Sequence, residues 1–337
     1  MKVFQDCRIK NMDLKNRLVM PPMCMYSSDK SGRANEFHYT HYEARAIGGV
    51  GLIIVEATGV TANGRISDND LGIWDDSHIE GLRSIVSRVK KHGAKIAIQL
   101  NHAGRKHIGS GELVAPSAVK FDEESNMPEE LSKDQIDELI LSYKNAAHRA
   151  DSAGFDAIEI HAAHGYLIHQ FLSPLSNHRT DEYGGNRENR TRFLKEILQA
   201  VGQVWPKEKP VFVRVSACDY KENGITVENM VQIINEIKEY IDIVHVSSGG
   251  LVHADITLYP GYQINYASTI KSECNIPTIA VGLITDMNMA EEILSNNRAD
   301  LVAFGRELLR NPYFVINEAK KRNIPIEYPE QYKRAFL

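Results

Sequence analysis

The sequence contains few cysteines and no long hydrophobic run. Its four cysteines are scattered and include no Cys-x-x-Cys pair, which argues against a disulfide framework and an iron–sulfur cluster. The apolar stretches, such as Gly51–Val55, are far shorter than the ~20 residues that cross a membrane. The beginning of the sequence shows no apolar run of the kind found in a signal peptide. We therefore expect a reduced, cytoplasmic protein.

No strong excess of charge of either sign is present. The net charge is −5 over 337 residues, and this mild value argues against a nucleic acid or an anionic membrane as a partner held by bulk electrostatics. Hydrophobic residues make up 43% of the chain, which is enough for a large core. No segment rich in Pro, Gly or Ser divides the chain, so we expect a single domain over residues 1–337.

Short β-rich runs alternate with longer segments of helical period. The runs are nearly all apolar, as expected for parallel strands that helices cover from outside. They are Leu18–Met20, Gly51–Val55, Lys95–Leu100, Ala157–His161, Val211–Ser216, Ile243–Ser247, Thr278–Val281 and Leu301–Phe304. This alternation predicts an α/β fold of the (β/α)8 TIM barrel type.

The clearest helical period covers Lys133–Ala153. Ser132 and Gln135 predict a capping box at its start, and Gly154 predicts its end. Similar patterns cover Ser77–His92, Glu188–Val204, Val227–Ile241, Asn288–Asn296 and Pro312–Arg322. The long connection at about 101–131 lacks such a period, and connections of this length are usually lids or binding loops. We expect it to lie over the catalytic end of the barrel.

The fourth predicted strand ends in the richest set of reactive side chains. His161 ends the strand, His164 lies three residues on, and Tyr166 follows a glycine. Two imidazoles at this spacing can hydrogen-bond one carbonyl or anionic oxygen, and a nearby phenol can donate a proton. Two alternatives are open: Glu159, His161 and His164 as metal ligands, or satisfied polar residues in a buried loop.

Other strands carry residues suited to a phosphorylated, ring-bearing ligand. Gln99 and Arg214 lie within apolar strands, where an amide or a cation needs a partner such as a ligand ring or a protein carboxylate. Gly282, Gly305 and Arg306 follow the seventh and eighth strands, where barrels often bind phosphate. Together these residues suit FMN better than a bare metal ion.

These residues resemble the motifs of the old yellow enzyme family, specifically its bacterial subgroup of thermophilic-like ene-reductases. The resemblance runs nearly end to end and is most specific in Pro22–Tyr26, Gln99–Lys106, His161–Tyr166, Leu172–Arg192 and Gly305–Pro312. Cys24 stands where the founding members have threonine, which assigns the subgroup, and there it modulates the flavin potential. Pro21 stands where the subgroup commonly has serine, so a side-chain contact to FMN is lost.

The resemblance implies a TIM barrel that binds FMN non-covalently at its mouth. The residues whose motif positions imply contact with FMN are Pro21, Pro22, Met23, Cys24, Ala57, Gln99, Arg214, Gly282, Gly305 and Arg306. Of these, Gln99 would bond the pyrimidine edge of the ring, Arg214 would lie near its N1 and O2 atoms, and the last three would hold the phosphate.

The implied activity is that of an FMN-dependent NADPH dehydrogenase, or ene-reductase. NADPH would reduce the flavin, and an α,β-unsaturated carbonyl or nitro compound would then accept the hydride. His161 and His164 would hold the substrate oxygen, and Tyr166 would protonate the α carbon. Tyr26 and Lys106 would contact the substrate.

The tail over residues 324–337 resembles a further feature of the subgroup, an arginine that enters the active site of the neighbouring subunit. Arg334 fits that position and implies a homodimer or homotetramer, although the residues after Arg334 differ from those of the subgroup.

Two functions of other classes stay open. One is a metal-dependent lyase or hydrolase built on Glu159, His161 and His164, and the other is a binding protein without turnover. A 2,4-dienoyl-CoA reductase or amine dehydrogenase of the same superfamily is disfavoured, because those enzymes carry an iron–sulfur site. No motif identifies the physiological substrate or a preference for NADPH over NADH.

Overall fold

Eight parallel strands form a closed barrel in the computed structural model, which describes residues 1–336. Each strand pairs with the next along the chain, and the eighth pairs with the first. In chain order, β1 to β8 are Leu18–Met20, Leu52–Gly59, Lys95–Asn101, Ala157–Ala162, Val211–Ser216, Ile243–Ser247, Thr278–Ala280 and Leu301–Ala303. The predicted TIM barrel is confirmed.

The structure has eleven helices within residues 1–336, and all of them except the exposed Lys333–Phe336 bury apolar side chains. They are Glu36–Ile47, Ile79–Lys90, Lys133–Ala153, Leu167–Leu172, Arg187–Gly202, Val227–Ile237, Ile264–Cys274, Met287–Ser295, Arg306–Arg310, Phe314–Lys321 and Lys333–Phe336. Turns of 3₁₀ helix lie at Lys2–Phe4, Ala62–Gly64, Asp76–His78, Gly104–Lys106, Lys238–Tyr240 and Glu330–Tyr332.

The predicted ends of the longest helix are confirmed. The Ser132 side chain accepts the N–H of Gln135, whose side-chain oxygen accepts the N–H of Ser132 in return. Gly154 ends the helix with φ at 93°, a left-handed conformation that glycine adopts without a steric penalty.

Some predicted bounds were wrong by a few residues. β2 continues past Val55 because Glu56 and Thr58, although polar, remain buried in the sheet. The helix predicted over Val227–Ile241 ends at Ile237, and a 3₁₀ turn completes it. The helix predicted from Pro312 begins at Phe314.

Five of the eleven helices were not predicted, and three of these are short: Leu167–Leu172, Arg306–Arg310 and Lys333–Phe336. The buried face of Glu36–Ile47 carries His38, His41, Tyr42 and Arg45, so it lacks the apolar stripe that reveals a helix in a sequence. Ile264–Cys274 buries only Ile264, Ala267, Ile270 and Cys274, of which two are small.

A hairpin closes the N-terminal end of the barrel. Cys7–Ile9 pairs antiparallel with Met12–Leu14, and the two strands pack on inward side chains of the barrel. Those side chains are all apolar: Val19, Leu52, Ile54, Ala97, Ala157, Phe212, Ile243, Ile279, Leu301 and Ala303. Because apolar groups fill this end, polar chemistry is left to the C-terminal end of the strands, the usual site in this fold.

The connection at 101–131 crosses that C-terminal end. Its Ile108 N–H donates to the Ile66 carbonyl in the loop after β2, at 2.7 Å. Arg105 donates to the Leu251 carbonyl in the loop after β6, also at 2.7 Å. Within the connection, Val114–Ala115 pairs with Glu129–Glu130. The segment thus spans part of the barrel mouth, and its role as a substrate lid stays a prediction.

None of the helices within residues 1–336 combines the length and the apolarity needed to cross a bilayer.

Candidate active site

Three ring side chains meet where β4 ends. The His161 ring centroid lies 5.2 Å from that of His164 and 4.9 Å from that of Tyr166, in both cases edge to face. Arg214 of β5 is the register partner of His161. The structure therefore brings together the three side chains that the spacing singled out, with a cation beside them.

Hydrogen bonds indicate the tautomers of the two imidazoles. His161 Nδ1 accepts the N–H of Ala163 at 3.3 Å, so the proton of the neutral ring lies on Nε2. His164 Nδ1 lies 3.4 Å from His161 Nε2, and His164 Nε2 lies 2.8 Å from Ser247 Oγ. Burial, followed by the charge of Arg214, holds the pKa of both imidazoles well below the usual range. Both rings are therefore neutral donors at neutral pH.

The phenol and the thiol at the mouth are also uncharged. Tyr166 and Cys24 pack against a small apolar cluster of Ala57, Ile66 and Ala103. Burial raises the pKa of the Tyr166 phenol and of the Cys24 thiol well above their usual values. Each therefore keeps its proton at neutral pH.

Left-handed backbone conformations cluster at this end of the barrel. Tyr26, His164, Tyr220 and Leu283 have φ at 50°, 57°, 56° and 53°, and they follow β1, β4, β5 and β7. Such conformations are costly for side chains other than glycine and persist where the surroundings impose them, as at functional sites.

The turn that carries His164 is held against the loop after β6. A Cβ at Gly165 would lie 2.2 Å from the Gly250 carbonyl oxygen, so only glycine fits. Lys106 Nζ donates to the carbonyls of His164 and Gly250 at 3.0 and 3.1 Å, and it lies 5.4 Å from the Tyr166 ring. Burial lowers the pKa of Lys106 to about 8. Lys106 thus joins the two turns, and its predicted contact with substrate stays a prediction.

Two side chains of the barrel interior form hydrogen bonds with Glu159. Gln99 Nε2 donates to its Oε1 at 2.7 Å, and His245 Nδ1 lies 2.8 Å from its Oε2. Within residues 1–336, no group of three His, Cys, Asp or Glu side chains is arranged to hold a metal ion. The alternative of a metal site on Glu159, His161 and His164 therefore does not match this geometry.

Arg214 is a buried cation with few partners. Its Nη1 lies 3.5 Å from the Pro22 carbonyl, and its Nε is buried without a partner in the described part of the chain. Burial lowers the pKa of Arg214. A buried guanidinium so poorly paired is costly and suits a ligand that presents an anionic or carbonyl oxygen.

One cavity of about 280 Å³ connects Arg214 to the loops after β7 and β8. The residues that line it include Arg214 of β5 and Ser247 of β6, together with Gly282, Gly305 and Arg306 of the two loops. Gly282 has φ at 136°, and a Cβ there would come to 3.0 Å of a neighbouring side chain. Arg214, which is predicted to contact the ring, and the residues predicted to hold the phosphate therefore line the same cavity.

The model of the NADH:flavin oxidoreductase / NADH oxidase family matches residues 2–324. The chain belongs to this family. It is 67% identical to a NADPH dehydrogenase of Clostridium acetobutylicum over 100% of both chains, and 56% identical to one of Bacillus subtilis over 99% of both. Among solved structures, the old yellow enzyme homologue of Zymomonas mobilis matches with a TM-score of 0.80 at 27% identity, covering 97% of this chain and 94% of that one. The resemblance to old yellow enzymes is confirmed.

FMN is the cofactor of this flavin oxidoreductase family, and the residues present fit it. The cavity offers an unpartnered buried guanidinium nitrogen at one end and glycines beside an arginine at the other. A flavin ring and a phosphate, linked by a polar chain, need these two environments at the two ends of one space.

Several polar residues of the cavity were missed in the sequence, among them Ser247 and Gln263. Gln263 donates to the hydroxyls of Ser247 and Ser248; with its amide turned the other way it would accept from them and donate to the Val281 carbonyl. Ser247 could have been found as a polar residue in an apolar strand, the signal that identified Arg214. Gln263 follows a loop without any such signal.

Glu56 was missed as well. Its carboxyl accepts the Met25 N–H at 2.8 Å and the Tyr42 hydroxyl at 3.0 Å, and it therefore holds the backbone next to Cys24. Burial raises the pKa of Glu56 to about 7. The strand pairing shifts register between Val55 and Ala57, which marks a bulge that turns this acid out of the strand's alternation.

Arg334 is exposed on the short helix Lys333–Phe336. In the same tail, the rings of Tyr328 and Phe336 stack at 4.2 Å. The predicted approach of Arg334 to a neighbouring subunit stays a prediction.

Proposed function

We propose that this chain, an FMN-dependent NADPH dehydrogenase, reduces activated carbon–carbon double bonds of α,β-unsaturated carbonyl or nitro compounds. The observation that carries the proposal is the grouping of His161, His164 and Tyr166. Two neutral imidazoles and one protonated phenol meet beside Arg214, which itself lines the cavity. These are the groups that the reduction of such a double bond requires.

Bound FMN supplies the hydride chemistry, because it accepts hydride from NADPH and passes it to the substrate. The residues we assign to the ring are Pro21, Pro22, Met23, Cys24, Ala57, Gln99 and Arg214, and those we assign to the phosphate are Gly282, Gly305 and Arg306. The unpartnered Nε of Arg214 supports this assignment. The Arg214 guanidinium would there stabilise negative charge on the bound ring.

His161 and His164 hold the substrate oxygen. Hydride addition to the β carbon places negative charge on that oxygen, and donors fixed in advance stabilise such charge without reorganisation. His161 Nε2 carries its proton because its Nδ1 is occupied by the Ala163 N–H, and a substrate oxygen would replace His164 Nδ1, 3.4 Å away, as the acceptor of that proton. Loss of one donor of this kind slows a reaction by roughly 10²–10³-fold.

Tyr166 donates the proton to the α carbon, on the side opposite the hydride. Its ring lies beside His161 at 4.9 Å, and its raised pKa keeps the phenol protonated until transfer. Tyr26 and Lys106 contact the substrate at the rim, and the connection at 101–131 covers it.

The proposal is tested by Tyr166→Phe. We expect reoxidation of the reduced flavin by 2-cyclohexenone to slow by about 10²–10⁴-fold, the usual contribution of a positioned acid. Reduction by NADPH involves no proton from Tyr166 and should change little. Anaerobic stopped-flow measurements of flavin absorbance separate the two half-reactions.

Tyr26→Phe is the matched control, because it removes a second phenol hydroxyl at the same mouth, on a side chain that is 50% exposed. It should change substrate affinity more than the reoxidation rate at saturation. Equal slowing of both half-reactions in Tyr166→Phe would show that Tyr166 is not the proton donor.

A further inference from the structure

Glu159 is a fully buried acid at the centre of the barrel. Its nearest hydrogen-bonding neighbours are two uncharged side chains, Gln99 of the adjacent strand β3 and His245 of β6, two strands away. The charge of Arg214 interacts with Glu159, but both hydrogen bonds to the acid come from the two neutral side chains, and a buried acid needs such donors. We therefore expect Glu159 to have a role, namely that its two acceptor oxygens fix the orientation of Gln99 and His245.

The bond from Gln99 fixes the direction of its amide. An amide presents two hydrogens at its nitrogen and only lone pairs at its oxygen. Because Nε2 donates to Glu159 Oε1 at 2.7 Å, the carbonyl oxygen of Gln99 is turned away from the carboxylate. The reverse orientation would place two acceptor oxygens in contact.

His245 fixes the carboxylate in turn. Burial lowers the pKa of His245, so its ring is neutral and Nδ1–H donates to Glu159 Oε2 at 2.8 Å. The opposite ring nitrogen is buried without a partner in the described residues. Each carboxylate oxygen of Glu159 thus has its own donor, and rotation about the carboxyl bond would break both hydrogen bonds.

We propose that Glu159 is a positioning residue that holds Gln99 with its carbonyl oxygen toward the cofactor, so that the site selects a ring edge bearing an N–H donor. This rests on the proposed assignment of Gln99 to the flavin ring, whose pyrimidine edge carries one such group, N3–H. If the Gln99 amide were free to turn, its NH2 group would face the ring about half of the time. The site would then no longer select a ring edge that bears an N–H donor.

The test is Glu159→Gln reconstituted with FMN labelled with ¹⁵N at N3. In the wild type we expect a sharp N3–H proton resonance that exchanges slowly with water, because the Gln99 oxygen holds that proton. In Glu159→Gln the new amide accepts either end of Gln99, so the resonance should broaden and exchange faster. Glu56→Gln is the matched control: it also neutralises a buried acid, but Glu56 bonds Met25 and Tyr42, so the resonance should stay sharp.

A double-mutant cycle of FMN affinity distinguishes a positioning role of Glu159 from a general loosening of the barrel. Glu159→Gln should weaken FMN binding about tenfold in the wild-type background and less than about twofold in Gln99→Met, because its effect passes through Gln99. Equal weakening in both backgrounds, or a sharp N3–H resonance in Glu159→Gln, would overturn the inference. If Glu159→Gln fails to fold, Gln99→Met alone decides: an N3–H resonance as slow to exchange as in the wild type overturns it. A wild-type protein that binds no FMN would overturn the proposed function itself.

Discussion

The ionisation of Glu56 should be visible in the pH dependence of stability. Its pKa is raised to about 7 from its usual 4.5, chiefly by burial. It faces the Tyr42 hydroxyl and, at 3.7 Å, the ring of His38, whose pKa burial lowers to about 4. His38 is therefore neutral and leaves Glu56 without a cation.

The stability that Glu56 contributes falls as the pH rises. The folded pKa of Glu56 lies above the unfolded one, so the stability contributed by its protonated form is complete below about pH 4.5 and is lost as the pH rises through about 7. The loss amounts to about 3 kcal/mol. Glu56→Gln cannot ionise and therefore does not lose this stability. The difference in unfolding free energy between the variant and the wild type should shift in favour of the variant by about 3 kcal/mol from about pH 5 to about pH 8. Urea unfolding at both pH values measures the difference; a constant difference would show that Glu56 does not titrate there.

At the scale of elements, the turn between β4 and the next helix depends on Gly165. Gly165→Ala would place a Cβ 2.2 Å from the Gly250 carbonyl, at φ 75°. We expect a loss of stability above about 2 kcal/mol and slower reoxidation by enone, because His164 and Tyr166 flank this residue. Urea unfolding and stopped-flow kinetics measure the two effects.

Gly185→Ala provides the control for backbone strain. Gly185 has φ at 79°, and a Cβ there meets nothing within 4 Å. Gly185→Ala should lower the unfolding free energy by only about 1 kcal/mol, because alanine is less stable than glycine in the left-handed conformation. It should leave the kinetics unchanged. If the two variants lost equal stability and equal rate, the contact between Gly165 and Gly250 would have no role.

The elements differed in how well the sequence revealed them. All eight barrel strands were predicted, because strands buried on both faces are nearly continuous apolar runs. Glu36–Ile47 was missed, since its buried face carries polar residues such as His38 and Arg45. The hairpin of Cys7–Ile9 and Met12–Leu14 was missed because strands of three residues are too short to show a period.

At the scale of the whole molecule, the limits of prediction follow from barrel closure. His161, His164 and Tyr166 are local in sequence, and their grouping was predicted. Glu159 lies 60 residues from Gln99 and 86 from His245, so no spacing could show that they share one network. The same holds for Ser247, which reaches His164 across 83 residues.

Assembly is the other prediction at this scale. We propose a homo-oligomer in which Arg334 enters the active site of a neighbouring subunit. Arg334→Ala should then raise the KM for enone about tenfold, the loss expected for one charge-assisted hydrogen bond. Lys333→Ala removes the adjacent exposed cation and should have little effect. Light scattering that shows a fully active monomer, or identical kinetics for the two variants, would contradict the shared site.

The most direct test of the central claim is a single anaerobic stopped-flow experiment on the wild-type enzyme. The flavin is first reduced with one equivalent of NADPH and then mixed with 2-cyclohexenone, while the flavin absorbance is followed. We predict full reoxidation, with a rate that saturates as the enone concentration rises and one equivalent of cyclohexanone formed. A flavin that NADPH reduces normally but that the enone leaves reduced would contradict the assignment of His161, His164 and Tyr166 to the reduction of activated double bonds.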